Sequence, residues 1–385
     1  RLDEGRGHLF DCNFTPLTGT QAEPWALYAP GKASYRQLFR EVDSSQRADF
    51  YSGIQRVQPF LLPASEKAVQ NAAQASGTGA RYLFYKPLRY YSCPIAPHLL
   101  GYLNSDGAGV SGVEGAFDGL LRGGSTALDV ECTVTAQGGF ALGTPPQLVK
   151  TQGTGAGVML ALDARIQRLA EGIAAEEMDK GSIVVMETAT GRVRASVSMP
   201  TFDPRNVAAS FENENAALIN RSTAAFAVGS VFKPLVAAAA LETGEYQTDT
   251  EIPAGSSYTL PGTVTQLTNA VSQADGSDGN ITLEDAMAYS SNTAFAQLGV
   301  ALGDDKVSSM AKKLGFDSPI TVDGSDSTGT PWMSVASKFP TDTTDDKLAL
   351  ASIGQGDTVV TPLQNALVAA AVANGGKVMQ PTLVD

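Results

Sequence analysis

The segment "VFKPLVAAAALE", residues 231–242, constrains this chain more than any other. A helix that is apolar all round can only lie inside a core, so the second half of the chain must build one around it. One residue breaks the pattern. Lys233 places an amine at the start of the apolar run, three residues after Ser230 and just before Pro234. A proline is tolerated in the first turn of a helix, where its missing N–H costs least. Residues three apart share a helix face, so Ser230 Oγ and Lys233 Nζ can meet. Burial disfavours the ammonium form, which makes Lys233 a candidate base and Ser230 a candidate nucleophile. The backbone N–H groups at the same helix start are candidates to stabilise an oxyanion. The plainer account is that Ser230 caps the helix and Lys233 snorkels to water. By itself, a serine three before a lysine favours that account.

Composition removes several competing chemistries. There are two histidines, His8 and His98, both in the first quarter, which argues against a Ser-His-Asp hydrolase and asks another base of any nucleophile in the second half. Three cysteines, Cys12, Cys93 and Cys132, form no CxxC pair and no even-numbered framework. They read as buried or inert thiols, and no metal is expected. A net charge of −13 with no basic stripe excludes a nucleic-acid partner. No apolar stretch reaches the roughly 20 residues that span a bilayer. The chain begins Arg1-Leu2-Asp3 without a methionine, which reads as a trimmed start that leaves room for an anchor upstream.

With 385 residues, 43% of them hydrophobic, two domains of ordinary size are expected. Residues 1–155 mix aromatics and prolines, with one helical pattern around 64–74 that ends in the flexible "ASGTGA". A Gly-, Pro- and Thr-rich linker follows, and residues 156–385 are more regular. "GVMLALD" reads as a strand. "DARIQRLAEGIAAEEMDK" reads as a helix capped by Asp163, and "GSIVVMET" and "RVRASVSM" as a hairpin. "TLEDAMAYS" is a second helix with Thr282 as its cap, "TAFAQLGVALG" a third, and "TPLQNALVAAAVANGG" a fourth, closed by Gly375 and Gly376. This order predicts an α+β fold, a mostly antiparallel sheet with helices packed on it. Residues 254–280 and 321–346 read as long surface loops.

A second motif changes the standing of Ser230 and Lys233. "AYSSNTAF" places Ser290, Ser291 and Asn292 between two apolar helices, 60 residues after the serine-lysine pair. Alone it is a polar turn. Together, the two motifs match the first two of the three that mark penicillin-recognising serine enzymes. The chain resembles a class B penicillin-binding protein over nearly its whole length. "RGHLFDCNFTPL", with Cys12 where arginine is usual, resembles the family's entry segment. "HLLGYLNSDGAGVSGVEGAFDGLLRGG", with Glu114, resembles a motif of its N-terminal pedestal. "VMLALDARIQ", "GSIVVMETATGRVRASVSMPTFDPRN", "NRSTAAFAVGSVFKP" and "ASIGQGDTVVTPLQNALVAAAVANGG" are similar to further family segments in the same order. Val228 stands where proline is usual.

The resemblance implies an N-terminal mixed pedestal, of the kind called a dimerisation domain, over 1–155, and a penicillin-binding transpeptidase domain over 156–385. It implies a D,D-transpeptidase that crosslinks peptidoglycan stem peptides ending in D-Ala-D-Ala and is acylated by β-lactams, with no cofactor. Ser230 would be the acylated nucleophile, Lys233 its activator, Ser290 a proton relay and Asn292 the ligand of the substrate's acyl side chain. The pedestal would contact a membrane glycan polymerase, at the extracytoplasmic face of the bacterial cell membrane. One departure stands out: the family's third motif, Lys-Thr-Gly or Lys-Ser-Gly, is nowhere in the chain. It is expected beyond Asp385, in the last strands of the sheet. That gap motivates a non-catalytic cell-wall scaffold as the alternative, with a β-lactam sensor or β-lactamase as a third reading.

Overall fold

The lysine-bearing segment is a helix from Lys233 to Glu242 in the computed structural model, entered through a 3-10 turn at Gly229–Phe232. The structure describes residues 1–19, 21–28, 35–56, 58–72, 81–137, 139–141, 143–325 and 329–385. The flexible stretch expected at 75–80 lies outside them. Packing divides the chain into two units, Arg1–Leu160 with Asp203–Arg205, and Ala161–Phe202 with Asn206–Asp385.

In the second unit, the core forms around the lysine helix. Leu235, Val236, Ala239 and Ala240 are buried against Ala294, Phe295 and Leu298 of a helix at Asn292–Leu302, and against Val307 and Ala311 of a helix at Asp304–Lys313. Fully burying one Val, Leu or Phe side chain is worth about 1.5–3 kcal/mol, so this cluster dominates the unit's stability. Phe232 anchors the turn before the helix, with its ring stacked on Phe339 at 5.4 Å and set edge-on to Phe316 at 5.9 Å. Burial is not complete around the helix. Leu241 is 41% exposed, because the last turn runs out of the core before Gly244 ends it. The α-helix also starts two residues later than the apolar run suggests, with Pro234 in its first turn.

Beside this core, Gly181–Met186 and Val193–Met199 form the expected antiparallel hairpin. The helix Ala164–Glu177 buries Ala170 and Ala174 on the Val193–Met199 strand, and the helix Pro362–Ala373 packs on the other strand. Asp163 caps its helix as predicted, accepting a hydrogen bond from Arg165 N at 2.9 Å. One turn on, the buried Gln167 donates to the carbonyl of Ser196 at 3.0 Å and accepts from its N–H at 2.8 Å. Thr282 and Thr361 likewise accept from the third residue of the helices they cap.

The two long loops hold more order than expected. Within 254–280, Ser257–Thr259 and Gln266–Thr268 form an antiparallel hairpin, and within 321–346 Thr321–Ser325 pairs with Pro331–Met333. A helix at Asp345–Ala351 begins at the end of the second. These strands carry few apolar side chains and remain largely exposed, so they lack the alternation that marks a strand in sequence.

The first unit holds a three-stranded antiparallel sheet, in the order Phe60–Pro63, Gln21–Tyr28, Arg81–Leu88, with Tyr28 and Phe60 stacked at 5.6 Å beneath it. The "GVMLALD" strand is short: Val158–Met159 pairs in parallel with Leu9–Phe10. Two segments a hundred residues apart meet through Glu114, which is wholly buried. Its carboxylate accepts from Arg6 Nε and from Arg89 Nε, both at 2.6 Å. Arg6 also reaches Asp118 at 2.7 Å, and Asp118 reaches Arg122 at 2.8 Å. None of the three cysteines is fully buried: Cys93 is exposed, and Cys12 and Cys132 are half-buried. They sit in short segments outside the cores.

Removing one partner of a buried ion pair leaves the other charge uncompensated, which typically costs about 3–5 kcal/mol. Glu114→Ala leaves the Arg89 guanidinium without its carboxylate and Arg6 with Asp118 alone. It is expected to lower the unfolding free energy of the first unit by about that much in a urea titration, against about 1 kcal/mol or less for an exposed pair.

Candidate active site

Four elements of the second unit bring one polar cluster together. Phe226–Ala227 pairs antiparallel with Val359–Val360 and leads into the turn that carries Ser230. Gly229 in that turn has a φ of 64°, and its N–H donates to the carbonyl of Gly354 at 2.8 Å. A Cβ on Gly354 would lie 2.0 Å from the Gly229 carbonyl oxygen, so the two backbones touch only because Gly354 lacks one. Phe232, buried two residues after Ser230, fixes the roll of the turn, and Ser230 is left exposed at its surface.

The second wall is a helix end. The helix Leu283–Ala288 stops in a Schellman turn: Ser291 N donates to the Ala286 carbonyl at 2.8 Å and Ser290 N to the Met287 carbonyl at 3.1 Å. This turn requires a left-handed residue after the cap, usually glycine. Here it is Ser290, with a φ of 55°. A non-glycine residue held there stores about 1 kcal/mol or more of strain, a cost met where a side chain is needed. The next helix, Asn292–Leu302, starts at once, with Ser291 accepting from Ala294 N at 3.3 Å.

Lys233 lies between these walls and is 1% exposed. Its Nζ donates to the Ser290 carbonyl and to Asn292 Oδ1, both at 2.7 Å. It is also 3.0 Å from Ser290 Oγ and 3.1 Å from Ser230 Oγ. All four residues singled out in the sequence therefore converge on one amine. Burial pulls the pKa of Lys233 from the ordinary 10.5 to about 8. The neutral amine has two N–H groups and one lone pair. The carbonyl and Asn292 Oδ1 are acceptors only, and they take both N–H groups. The lone pair is left for a hydroxyl, and Ser230 Oγ is in reach. The helix-start amides are less open than the sequence suggests, because Lys233 N–H bonds the Ser230 carbonyl.

Sequence reasoning missed two parts of this site. One is Gly354, quoted within a resemblance without a physical role. The other is Thr268-Asn269, inside the presumed surface loop. Asn292 Nδ2 donates to the Thr268 carbonyl at 3.0 Å, and Asn269 Oδ1 accepts from Asn292 N at 2.7 Å and Thr293 N at 3.1 Å. A polar residue in a polar loop carries no sequence signal for such contacts.

Comparison with known proteins bears on this arrangement. The penicillin binding protein transpeptidase domain matches residues 181–385. The peptidoglycan D,D-transpeptidase PbpA of Mycobacterium tuberculosis is 36% identical over 219 residues, covering 53% of this chain and 43% of that protein. The protein of the same name from Mycolicibacterium smegmatis is 30% identical over 335 residues, covering 82% and 63%. The chain thus spans about half the length of these relatives. Among solved structures, penicillin-binding protein PBP2 of Helicobacter pylori matches in fold with a TM-score of 0.73 at 19% identity, covering 100% of this chain and 79% of that one. A penicillin G acyl-enzyme complex of penicillin-binding protein A from M. tuberculosis matches with a TM-score of 0.66 at 23% identity, covering 99% and 74%. The domain match spans more than half of the chain, through every residue of the cluster, and the chain belongs to the penicillin-binding protein transpeptidase family.

Proposed function

We propose that the protein is a peptidoglycan D,D-transpeptidase that works through an acyl-enzyme on Ser230. The observation that carries this reading is the buried Lys233 amine, 3.1 Å from an exposed serine hydroxyl, with both its N–H groups committed to other acceptors. Lys233 takes the proton of Ser230 Oγ as that oxygen attacks the carbonyl between the two terminal D-alanines of a stem peptide. The tetrahedral intermediate collapses, the C–N bond breaks, and the terminal D-alanine leaves with a proton passed from Lys233 through Ser290 Oγ. An amine of a neighbouring stem peptide then attacks the ester, gives up its proton by the same relay, and the crosslink forms as Ser230 is released. Asn292 holds the amide of the acyl side chain. β-Lactams present the same carbonyl in a ring and leave Ser230 acylated. No cofactor enters this chemistry.

The reaction belongs to the extracytoplasmic face of the bacterial cell membrane, where stem peptides are found. No helix among the described residues is long and apolar enough to cross a membrane. Residues 1–155 are proposed as the pedestal that meets a membrane glycan polymerase, a reading supported by the resemblance of the segments around Arg6 and Glu114.

The direct test is incubation of the full-length protein with a fluorescent penicillin. A stable covalent adduct is expected, lost in Ser230→Ala. No adduct on the wild type would favour a scaffold, and rapid loss of label a β-lactamase. The pH profile tests the base. The neutral form of Lys233 grows as pH rises toward about 8, so the acylation rate is expected to climb about tenfold per unit below that value and to level above it. A rate that is flat between pH 6 and pH 9 would remove Lys233 from the role. The glycine contact is tested by Gly354→Ala. An added Cβ 2.0 Å from the Gly229 oxygen, at a φ of 74°, must push the nucleophile turn away. The expected result is a stability loss of about 3 kcal/mol in thermal unfolding and an acylation rate about 100-fold lower in the folded fraction.

A further inference from the structure

We propose that Asn269 is a positioning residue for the Lys233 amine, acting through Asn292; the inference rests on the acyl-transfer reading above. The Asn292 carboxamide must present its oxygen to Lys233, since its nitrogen there would face N–H groups. One contact sets that orientation, and a second holds the backbone from which the carboxamide hangs. Its Nδ2 is held by the Thr268 carbonyl at 3.0 Å, and its backbone N–H by Asn269 Oδ1 at 2.7 Å. Flipping the carboxamide would set Nδ2 against the amine and Oδ1 against the Thr268 carbonyl, and both contacts are repulsive.

Asn269 is itself locked. Its Nδ2 faces Asp275 Oδ1 at 2.9 Å, the carbonyls of Ala274 at 3.1 Å and Gly255 at 3.2 Å, and Thr293 Oγ1 at 3.0 Å, whose own hydrogen goes to the Gly255 carbonyl. Its Oδ1 faces the N–H groups of Asn292 and Thr293. One side chain therefore ties Gly255, the 274–275 turn and the end of the Gln266–Thr268 strand to the first turn of the helix that carries Asn292. Ordinary capping of that helix is supplied by Ser291, which accepts from Ala294 N at 3.3 Å and whose hydroxyl reaches Asn269 Oδ1 only weakly, at 3.4 Å. Asn269 adds to this a grip on the backbone of the residue that holds the amine.

The test compares Asn269→Ala with Ser291→Ala in the full-length protein. Each removes one acceptor from the first turn of the same helix. Thermal stability, the acylation rate constant at saturating fluorescent penicillin, and the side-chain NH2 resonances of Asn292 in protein labelled with 15N-asparagine are measured for both. Both variants are expected to lose stability. Only Asn269→Ala is expected to lose rate, by about 10- to 100-fold, with the Asn292 resonances moving toward those of exposed asparagines. Equal loss of rate in the two variants, or unchanged Asn292 resonances in Asn269→Ala, overturns the proposal. If Asn269→Ala does not fold, Asn269→Asp decides in its place. It sets a carboxylate oxygen against Asp275 Oδ1 and the carbonyls of Ala274 and Gly255, which breaks the lock on the side chain, so the Asn292 resonances must move, and unchanged resonances in the folded protein overturn the proposal. A wild type that fails to react sinks the acyl-transfer reading, and the resonances still decide the positioning role.

Discussion

A lysine amine inside a protein core is tolerated only where its charge is relieved or its N–H groups are taken up. The second unit is built around one such amine. Lys233 enters the core on an apolar helix that cannot be anywhere else, and its Nζ ends among four oxygens from Ser230, Ser290 and Asn292. Burial lowers its pKa, and the two acceptor-only oxygens fix which way the neutral amine points. The geometry that makes the lysine bearable in the core is the geometry that leaves its lone pair toward a hydroxyl. Stability and chemistry draw on the same contacts here.

Holding two hydroxyls near that amine takes backbone that ordinary residues avoid. The Ser230 turn is reached by a contact between Gly229 and Gly354 that leaves no room for a side chain on Gly354. The Ser290 turn places a serine where a Schellman motif favours glycine. The first device lets two chains approach. The second keeps a hydroxyl and a carbonyl of one residue on the amine at once. Rigid packing fixes both turns, through the stacked Phe232 and Phe339 on one side and the Asn269 contacts on the other.

The same logic governs the first unit at another scale. Arg6 and Glu114 lie in segments singled out only by resemblance, and the structure supplies the physical reason for both: a carboxylate sealed from water needs its two guanidinium partners. Helices that bury one face were legible from their caps and apolar spacing, as with Asp163 and Thr282. The hairpins at 257–268 and 321–333 were not. Their side chains are mostly polar and exposed, and their pairing answers to neighbouring segments, not to their own pattern.

The sequence by itself determined that an apolar helix must be buried with Lys233 at its head, that Ser230 shares its face, and that no histidine stands in the second half to replace the lysine. Short-range spacing and composition are enough for that, because they act within one turn of helix. The order of motifs added Ser290 and Asn292 as companions. Only the tertiary structure decided that the Ser290 carbonyl as well as its hydroxyl meets the amine, that Gly354 shapes the Ser230 turn, and that Asn269 grips Asn292. Each of those contacts joins residues 20 to 125 positions apart through backbone atoms, which every residue possesses and no sequence pattern marks.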